Sequence, residues 1–391
     1  MSHLVEPAEL GAYGVFLSFT TIGTWVVYSG LTKFVGRFWA NTDHETLRAA
    51  VTRTWLRKFG WLLAAALVAA AAVASMTKLN YGVILAAVLL AAGFLSMAGL
   101  AQMALQAVRE NWFDLATSAT GSLTRTFLPP IAYYFIGAVG LYAGFVAHAT
   151  AFALVGLWCV ARTMRRGQVT GVQVVEPIYE GPLFMSLALA GWILAGENRW
   201  LAALFFGNVV AGYFILASNI ALIVPTMLGT ILVQWLQPRF YVLGDANTPE
   251  SRSRLARNVD RMAAAFGLLA LAGVVAVRWA APWLIGPLID ARYAYSLPWL
   301  VPVGCFGVAT TTAGFYHMLL LAGHRERGCG PADLTTAGIL TAGAIATSAI
   351  GSEAFRGWLL FTPMVAWTVT RAIARKCLFV PVESETPEPA V

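Results

Sequence analysis

Charged side chains are scarce in this sequence, where Asp, Glu, Lys and Arg together make up only 12% of the residues. A soluble domain carries about twice that share, and 59% of the residues here are hydrophobic. The sequence therefore excludes an ordinary soluble domain and indicates a membrane protein. Its net charge of +7 does not predict a nucleic-acid partner, because the basic residues form short clusters between apolar stretches of about 20 residues.

Cysteine pairs and metal-ligand motifs are also missing. The five histidines lie far apart and no His-Glu-x-x-His motif occurs, so we predict no metal site. There is no glycine-rich phosphate loop ending in Lys-Ser or Lys-Thr. We therefore expect neither a cofactor nor ATP hydrolysis through such a loop. The cysteines are scattered without pair spacing and predict no disulfide framework: Cys159, Cys305, Cys329 and Cys377.

Apolar segments long enough to cross a membrane recur along the whole chain. The stretch from Thr126 to Arg162 has 37 residues and would be about 55 Å long as one helix. That is nearly twice the membrane core, so Gly137 and Gly140 near its centre predict two spans joined by a tight turn. With this division we predict an all-α polytopic membrane protein of eleven spans. The remaining nine lie near 11–35, 59–76, 81–107, 178–196, 204–236, 262–286, 298–322, 333–350 and 356–375.

The lysines and arginines lie mostly on one side of these predicted spans, with 21 on that side and 5 on the other. Short cytoplasmic loops of membrane proteins carry such an excess. We therefore predict a cytoplasmic C-terminus and, because the number of spans is odd, an external N-terminus. We also expect Asp245 to Arg261 to form a short amphipathic helix on the cytoplasmic membrane surface.

Two segments about 200 residues apart resemble each other. Gly11-Ala-Tyr13 and Gly212-Tyr213 each precede an apolar span, a polar cytoplasmic loop and further arginines. Both segments run in the same direction, which predicts two lobes related by a parallel repeat. The second copy is preceded by a complete span, Gly181 to Ala195, which the first copy lacks. We therefore expect the usual first helix of the first lobe to be missing.

The predicted organisation follows from this repeat. The N-terminal lobe is expected to contain five spans and the C-terminal lobe six, with a cytoplasmic linker between them and a disordered cytoplasmic tail. The boundaries of these four parts are 1–164, 165–177, 178–376 and 377–391.

Several short motifs resemble those of the multidrug/oligosaccharidyl-lipid/polysaccharide exporter superfamily, in particular its O-antigen and exopolysaccharide flippases. The resemblance covers nearly the whole chain, although Asn198 stands where an acid is commoner in that branch. Pro225 and the later Pro238 have the spacing found in peptidoglycan-precursor flippases, but Asn219-Ile220 replaces their Asp-Arg pair, which argues against that cargo. The motifs are Pro7 to Tyr13, Pro182-Leu-Phe184 with Trp192 and Asn198-Arg199, and Tyr293-Ala-Tyr295 before Pro298.

The resemblance implies a transporter of the bacterial inner membrane that is not an enzyme. Its cargo would be a polyprenyl-diphosphate-linked oligosaccharide, flipped across the bilayer by alternating access for cell-surface polysaccharide synthesis. Polysaccharide polymerase and chain-length proteins would be its partners. The alternatives are a drug or metabolite cation antiporter of the same superfamily, a glycan polymerase or ligase, and an inactive relic. A polymerase would need a large outer loop, and the longest here, 278–297, has about 20 residues.

Polar residues inside the predicted spans are the candidate cargo-binding residues, because burying them in lipid is costly unless they face a cavity or a partner. Gln102 shares one stripe of its helix with Gln106 and Arg109. His148 lies midway along its span, and His317 lies one to two turns from a cytoplasmic end. Each could instead make a packing contact or an interhelical hydrogen bond. Asn219, deep in its span, is expected to bond a neighbouring helix or the carbonyl freed by Pro225.

Charged residues at the span ends complete the candidate set. Lys33 and Arg125 are expected in turns at the cytoplasmic ends of spans, where they could bind an anionic cargo at the mouth of a cavity. Snorkelling to the membrane surface is the alternative for both. Glu180 and Asp290 could carry a coupling proton or sodium ion, or could cap the helices that follow them.

Overall fold

In the computed structural model, the described part of the chain is almost entirely helical, and no strand occurs in it. The described residues are 3–38, 51, 53–58, 60, 61, 64, 80–108, 110–164, 182–245, 248–287, 289–323, 325 and 328–379. The helices whose bounds lie in the described residues are α1 (Pro7–Phe38), α2 (Asn80–Ala107), α3 (Asn111–Ile136), α4 (Ala138–Met164), α5 (Pro182–Ala221), α6 (Ile223–Asp245), α7 (Pro249–Leu284), α8 (Leu300–Ala322), α9 (Cys329–Ile350) and α10 (Ser352–Phe379). The described residues between 51 and 64 are also helical. A 3₁₀ segment, Ala291–Trp299, precedes α8.

Six segments of the described residues are long and apolar enough to cross a membrane. The longest of these covers Leu189–Val233, and others include Ile84–Gln106 and Ala138–Thr163. The prediction of an all-α, multi-pass membrane protein is therefore confirmed. The chain divides into two compact units, Met1–Ile215 and Leu216–Val391. The predicted linker, 165–177, lies outside the described residues, so the lobe boundaries stay a prediction.

The turn between α3 and α4 confirms that the stretch 126–162 is divided between two helices. Gly137 ends α3 with a φ of +66°, a left-handed conformation that glycine adopts without steric cost. Gly144 lets the two helices approach closely, because a Cβ there would lie 2.6 Å from the carbonyl oxygen of Leu128. The sharp hairpin thus depends on glycine at both positions.

Helix α3 begins at Asn111, fifteen residues before the predicted apolar stretch that starts at Thr126. Its first half is rich in Ser and Thr and resembles a loop in the sequence. The hydroxyl groups are satisfied inside the helix, where Thr117 donates to the carbonyl of Phe113 at 2.8 Å and Thr120 to that of Ala116 at 2.9 Å. Arg125 therefore lies within a helix and not in a turn, which corrects its expected position.

Helix α5 also differs from the prediction. Asn198 and Arg199 fall between the predicted spans 178–196 and 204–236 and were expected in an outer loop, but they lie within α5 (Pro182–Ala221). The chain breaks instead at Gly207, with φ +82° and ψ 167°. In the first compact unit, the part of α5 before this kink packs on α1. The indole nitrogen of Trp192 donates a hydrogen bond to the carbonyl oxygen of Ser18 at 2.8 Å. The Ser18 hydroxyl donates in turn to the carbonyl oxygen of Gly196 at 3.1 Å.

The part of α5 after Gly207 crosses the start of α1 at two glycines. A Cβ on Gly11 would lie 1.9 Å from the carbonyl oxygen of Asn208, and a Cβ on Gly212 would lie 1.9 Å from that of Pro7. Gly11 therefore faces the carbonyl of the residue four positions before Gly212, and Gly212 faces the carbonyl of the residue four positions before Gly11. These are the two glycines that the sequence repeat pairs, and at this crossing they play equivalent parts.

The second compact unit contains α7 as one continuous helix. The segment Asp245 to Arg261 was predicted to form a separate surface helix, but its residues 249–261 form the first turns of α7, which begins after the capping residue Thr248. Asp260 on α7 accepts a hydrogen bond from Tyr316 of α8 at 2.7 Å and pairs with Arg371 of α10 at 3.1 Å. Arg375 also contacts this carboxylate. Asp260 thus connects three helices of the unit.

Candidate functional site

A polar cavity of about 370 Å³ lies within the first compact unit. Four helices, α1, α2, α3 and α4, and the part of α5 before its kink contribute its walls. Among the described residues that line it, none is acidic. Its polar lining residues are Thr20, Thr21, Gln102, Ser118, Ser122, Arg125, His148 and Arg199.

Two arginines give the cavity its charge. Arg125 lies eleven residues before the end of α3 at Ile136, about 16 Å along the helix axis. Arg199 lies eight residues before the kink at Gly207. Both side chains reach the same cavity from different helices. Two cations in a cavity whose described lining holds no acid repel each other, so the arrangement favours an anionic ligand.

His148 lies beside Arg125 and has a fixed position. It is ten residues from the start of α4, so it stands about 15 Å from the α3–α4 turn, as Arg125 does. Its ring stacks on Phe152 with 14° between the planes. Its Nδ1 lies 2.8 Å from the hydroxyl of Thr124. The residue is 3% exposed, so only a small part of the ring meets the cavity.

The neutral polar groups of the cavity keep free acceptors. On α1, Thr20 and Thr21 donate their hydroxyl protons to the carbonyls of Phe16 and Leu17, at 3.0 and 2.8 Å. Each hydroxyl oxygen then retains lone pairs that can accept a hydrogen bond. Gln102 donates its amide to Ser118 at 2.8 Å. The walls therefore combine cationic donors with neutral acceptors.

An aromatic cluster adjoins the cavity through Phe145, which lines it. Phe145 contacts Tyr13 and Phe16 edge to face, with ring centroids 6.1 and 5.6 Å apart. Tyr142 contacts Phe16 at 5.0 Å. Nearby, the Tyr133 hydroxyl donates to the carboxylate of Glu9 at 2.7 Å. These contacts join α1 to α3 and α4.

The structure brings together three of the six predicted cargo-binding residues: Gln102, Arg125 and His148 line one cavity. Lys33 lies on α1, but its side chain is outside the described part of the chain. Asn219 is exposed on α5, and no hydrogen bond links it to another described residue, which departs from the expected bond. His317 of α8 pairs with Asp333 of α9 at 2.7 Å in the second unit.

The two predicted ion-coupling acids have different outcomes. Glu180 falls outside the described residues. Asp290 accepts a hydrogen bond from the backbone N–H of Arg292 at 2.8 Å and caps the 3₁₀ segment before α8. It also pairs with the Arg292 side chain at 3.1 Å. Of the two roles weighed for Asp290, the structure shows the capping contact.

Sequence reasoning missed Arg199 as a cavity residue, since Asn198-Arg199 reads as a polar loop. The signal that could have found it is the absence of turn residues such as Gly or Pro between 197 and 206. Asp333, the partner of His317, was also missed. No local pattern marks it, because the pair joins residues sixteen positions apart.

Comparison with known proteins gives structural relatives only. No family model and no curated protein sequence matches the chain. An inward-facing multidrug resistance MATE family transporter of the MOP superfamily aligns with a TM-score of 0.65 and 15% identity, over 96% of this chain and 92% of that one. An outward-facing structure of such a transporter aligns with a TM-score of 0.55 and 14% identity, over 94% and 85%. The chain therefore has the two-lobe helical fold of MATE transporters.

Proposed function

We propose that this protein is an alternating-access transporter that moves a polyprenyl-diphosphate-linked oligosaccharide from the inner to the outer leaflet of the membrane. The observation that carries the proposal is the pair of arginines, Arg125 and Arg199, in one cavity whose described lining contains no acid. The MATE-like fold supports the transport mechanism, because transporters of this kind bind cargo between helices near the middle of the bilayer.

A diphosphate suits this cavity for electrostatic reasons. Two guanidinium groups that line one cavity with no acid among its described residues repel each other, and an anion with several oxygens removes that cost. Arginine binds phosphate through paired N–H donors, and such charge-assisted bonds are among the stronger ones in proteins. The volume of about 370 Å³ lies in the usual range for small-molecule sites. It can hold the charged headgroup, while the lipid chain remains in the bilayer.

Export of cationic drugs is the second candidate, because the structural relatives include multidrug resistance transporters. A cationic cargo needs an acid that faces a cavity. No described lining residue of the cavity is an acid, and two acids inside other helices are paired, Asp260 with arginines and Asp333 with His317. The cationic cavity therefore favours the anionic lipid.

The test uses purified protein in liposomes and a fluorescent polyprenyl diphosphate that carries one sugar. A membrane-impermeant quencher reports how fast the probe changes leaflet. Arg125→Gln and Arg199→Gln should slow transfer by about 10- to 100-fold, the worth of one charge-assisted hydrogen bond.

Arg278→Gln is the matched control. It removes the same charge from α7, where Arg278 is not among the residues that line the cavity, and should transfer the probe normally. Wild-type transfer rates in both cavity variants would refute the proposed role of the arginines. A wild-type protein that expels a cationic dye and leaves the lipid probe in place would favour the drug antiporter.

A further inference from the structure

Thr124 and His148 form a contact that defines which ring nitrogen carries the proton. The hydroxyl oxygen of Thr124 lies 2.6 Å from the carbonyl oxygen of Thr120, one turn earlier on α3. The same oxygen lies 2.8 Å from Nδ1 of His148. A threonine hydroxyl has one proton to donate and two lone pairs to accept with.

That single proton must lie between the two oxygens. Two oxygens 2.6 Å apart with no proton between them would repel each other, whereas the distance is ordinary for an O–H···O hydrogen bond. The Thr124 hydroxyl therefore donates to Thr120 and accepts from His148. It follows that Nδ1 of His148 bears the hydrogen, and in the neutral imidazole Nε2 bears the lone pair.

The surroundings of the ring keep this arrangement in place. Phe152 stacks on the ring with centroids 5.9 Å apart, and Phe145 contacts it at 5.2 Å. His148 also lines the cavity that holds Arg125 and Arg199. Since Nδ1 is bound to Thr124, Nε2 is the ring nitrogen available to a ligand there.

We propose that Thr124 is a positioning residue that fixes His148 as a hydrogen-bond acceptor, and that His148 recognises a sugar hydroxyl next to the phosphate of the cargo. The inference rests on the proposed function and assigns an acceptor for the protons of sugar hydroxyls, which the arginines cannot bind. Guanidinium groups only donate hydrogen bonds and therefore bind phosphate oxygens. A sugar hydroxyl also has a proton to donate, which guanidinium groups cannot accept, and the Nε2 lone pair provides an acceptor for it beside the two cations.

The experiment measures the binding of two probes to the purified full-length protein in lipid nanodiscs. The first probe is farnesyl diphosphate, and the second is farnesyl diphosphate linked to glucose. The wild type should bind the glucose probe about three- to tenfold more tightly, the value of one additional hydrogen bond. Thr124→Val keeps the shape of the side chain and removes its hydroxyl, and it should bring the ratio close to one. Thr124→Ser restores the hydroxyl and should restore the preference.

His148→Phe removes the acceptor and should also abolish the preference. A second measurement is independent of cargo: nitrogen-15 NMR of histidine-labelled protein should show a protonated Nδ1 and an unprotonated Nε2 for His148. The signal should change in Thr124→Val and return in Thr124→Ser.

The outcomes separate this inference from the proposed function. A wild type that binds both probes equally, a preference that survives both Thr124→Val and His148→Phe, or a protonated Nε2 would overturn the role of His148. If the wild type binds neither probe, or if Arg125→Gln and Arg199→Gln leave the binding of both unchanged, the proposed function itself fails. In that case the NMR signature still tests the role of Thr124.

Discussion

Replacing Gly11 or Gly212 by alanine should destabilise the first compact unit, because the two helices meet there without room for a Cβ atom. The added carbon would lie 1.9 Å from a carbonyl oxygen in each variant, whereas ordinary contacts begin at 3.4 Å. The helices α1 and α5 would have to separate by about 1.5 Å at the crossing. Overpacking of this kind costs about 1–3 kcal/mol.

The choice of alanine makes the sign of the effect informative. Alanine favours a helix over glycine by about 1 kcal/mol, so helix propensity alone predicts that both variants gain stability. The matched control is Gly99→Ala on α2, since no atom lies within 4 Å of the Cβ it would add. This control should be as stable as the wild type or more stable.

Thermal unfolding in detergent can be followed with a dye that reacts with buried cysteines as they become exposed. Cys159 in the first unit and Cys305 and Cys329 in the second are buried. For a unit of this size the melting temperature should fall by about 2–4 °C per kcal/mol. Wild-type melting temperatures in both Gly11→Ala and Gly212→Ala would refute the close crossing.

Two further predictions concern the second unit and the topology. Asp260→Asn should lower the stability of the folded protein by about 1–3 kcal/mol, because Arg371 and Arg375 lose their shared partner in a partly buried site. The unfolding temperature of the variant would show this loss of stability. Glu250→Gln, an exposed change on the same helix, is the control and should leave the unfolding temperature unchanged. Equal unfolding temperatures for the two variants would contradict the role of Asp260. A reporter fused after Lys376 should be active only in its cytoplasmic form, and one near Trp283 only in its external form. The reverse pattern would contradict the orientation inferred from the lysines and arginines.

The prediction of the candidate site from the sequence was partial. The sequence identified Gln102, Arg125 and His148 as polar residues in or near spans, since isolated polar groups stand out in apolar segments. It could not show that they line one cavity, because they lie on three helices and 46 positions separate the first from the last. Arg199 was misplaced for a related reason. A helix that faces a polar cavity carries polar residues like those of a loop. A span predicted from hydropathy therefore ends too early.

By itself, the sequence determined the features that depend on local properties. Its apolar segments required a helical membrane protein, because only helices satisfy their own backbone groups in lipid. Gly137 divided the long stretch 126–162, since it acts through its own backbone conformation. The tertiary structure alone decided which distant groups meet. The Gly11–Gly212 crossing, the shared cavity of Arg125 and Arg199, and the bond between Thr124 and His148 depend on how helices pack, and packing is a property of paired surfaces that no single segment contains.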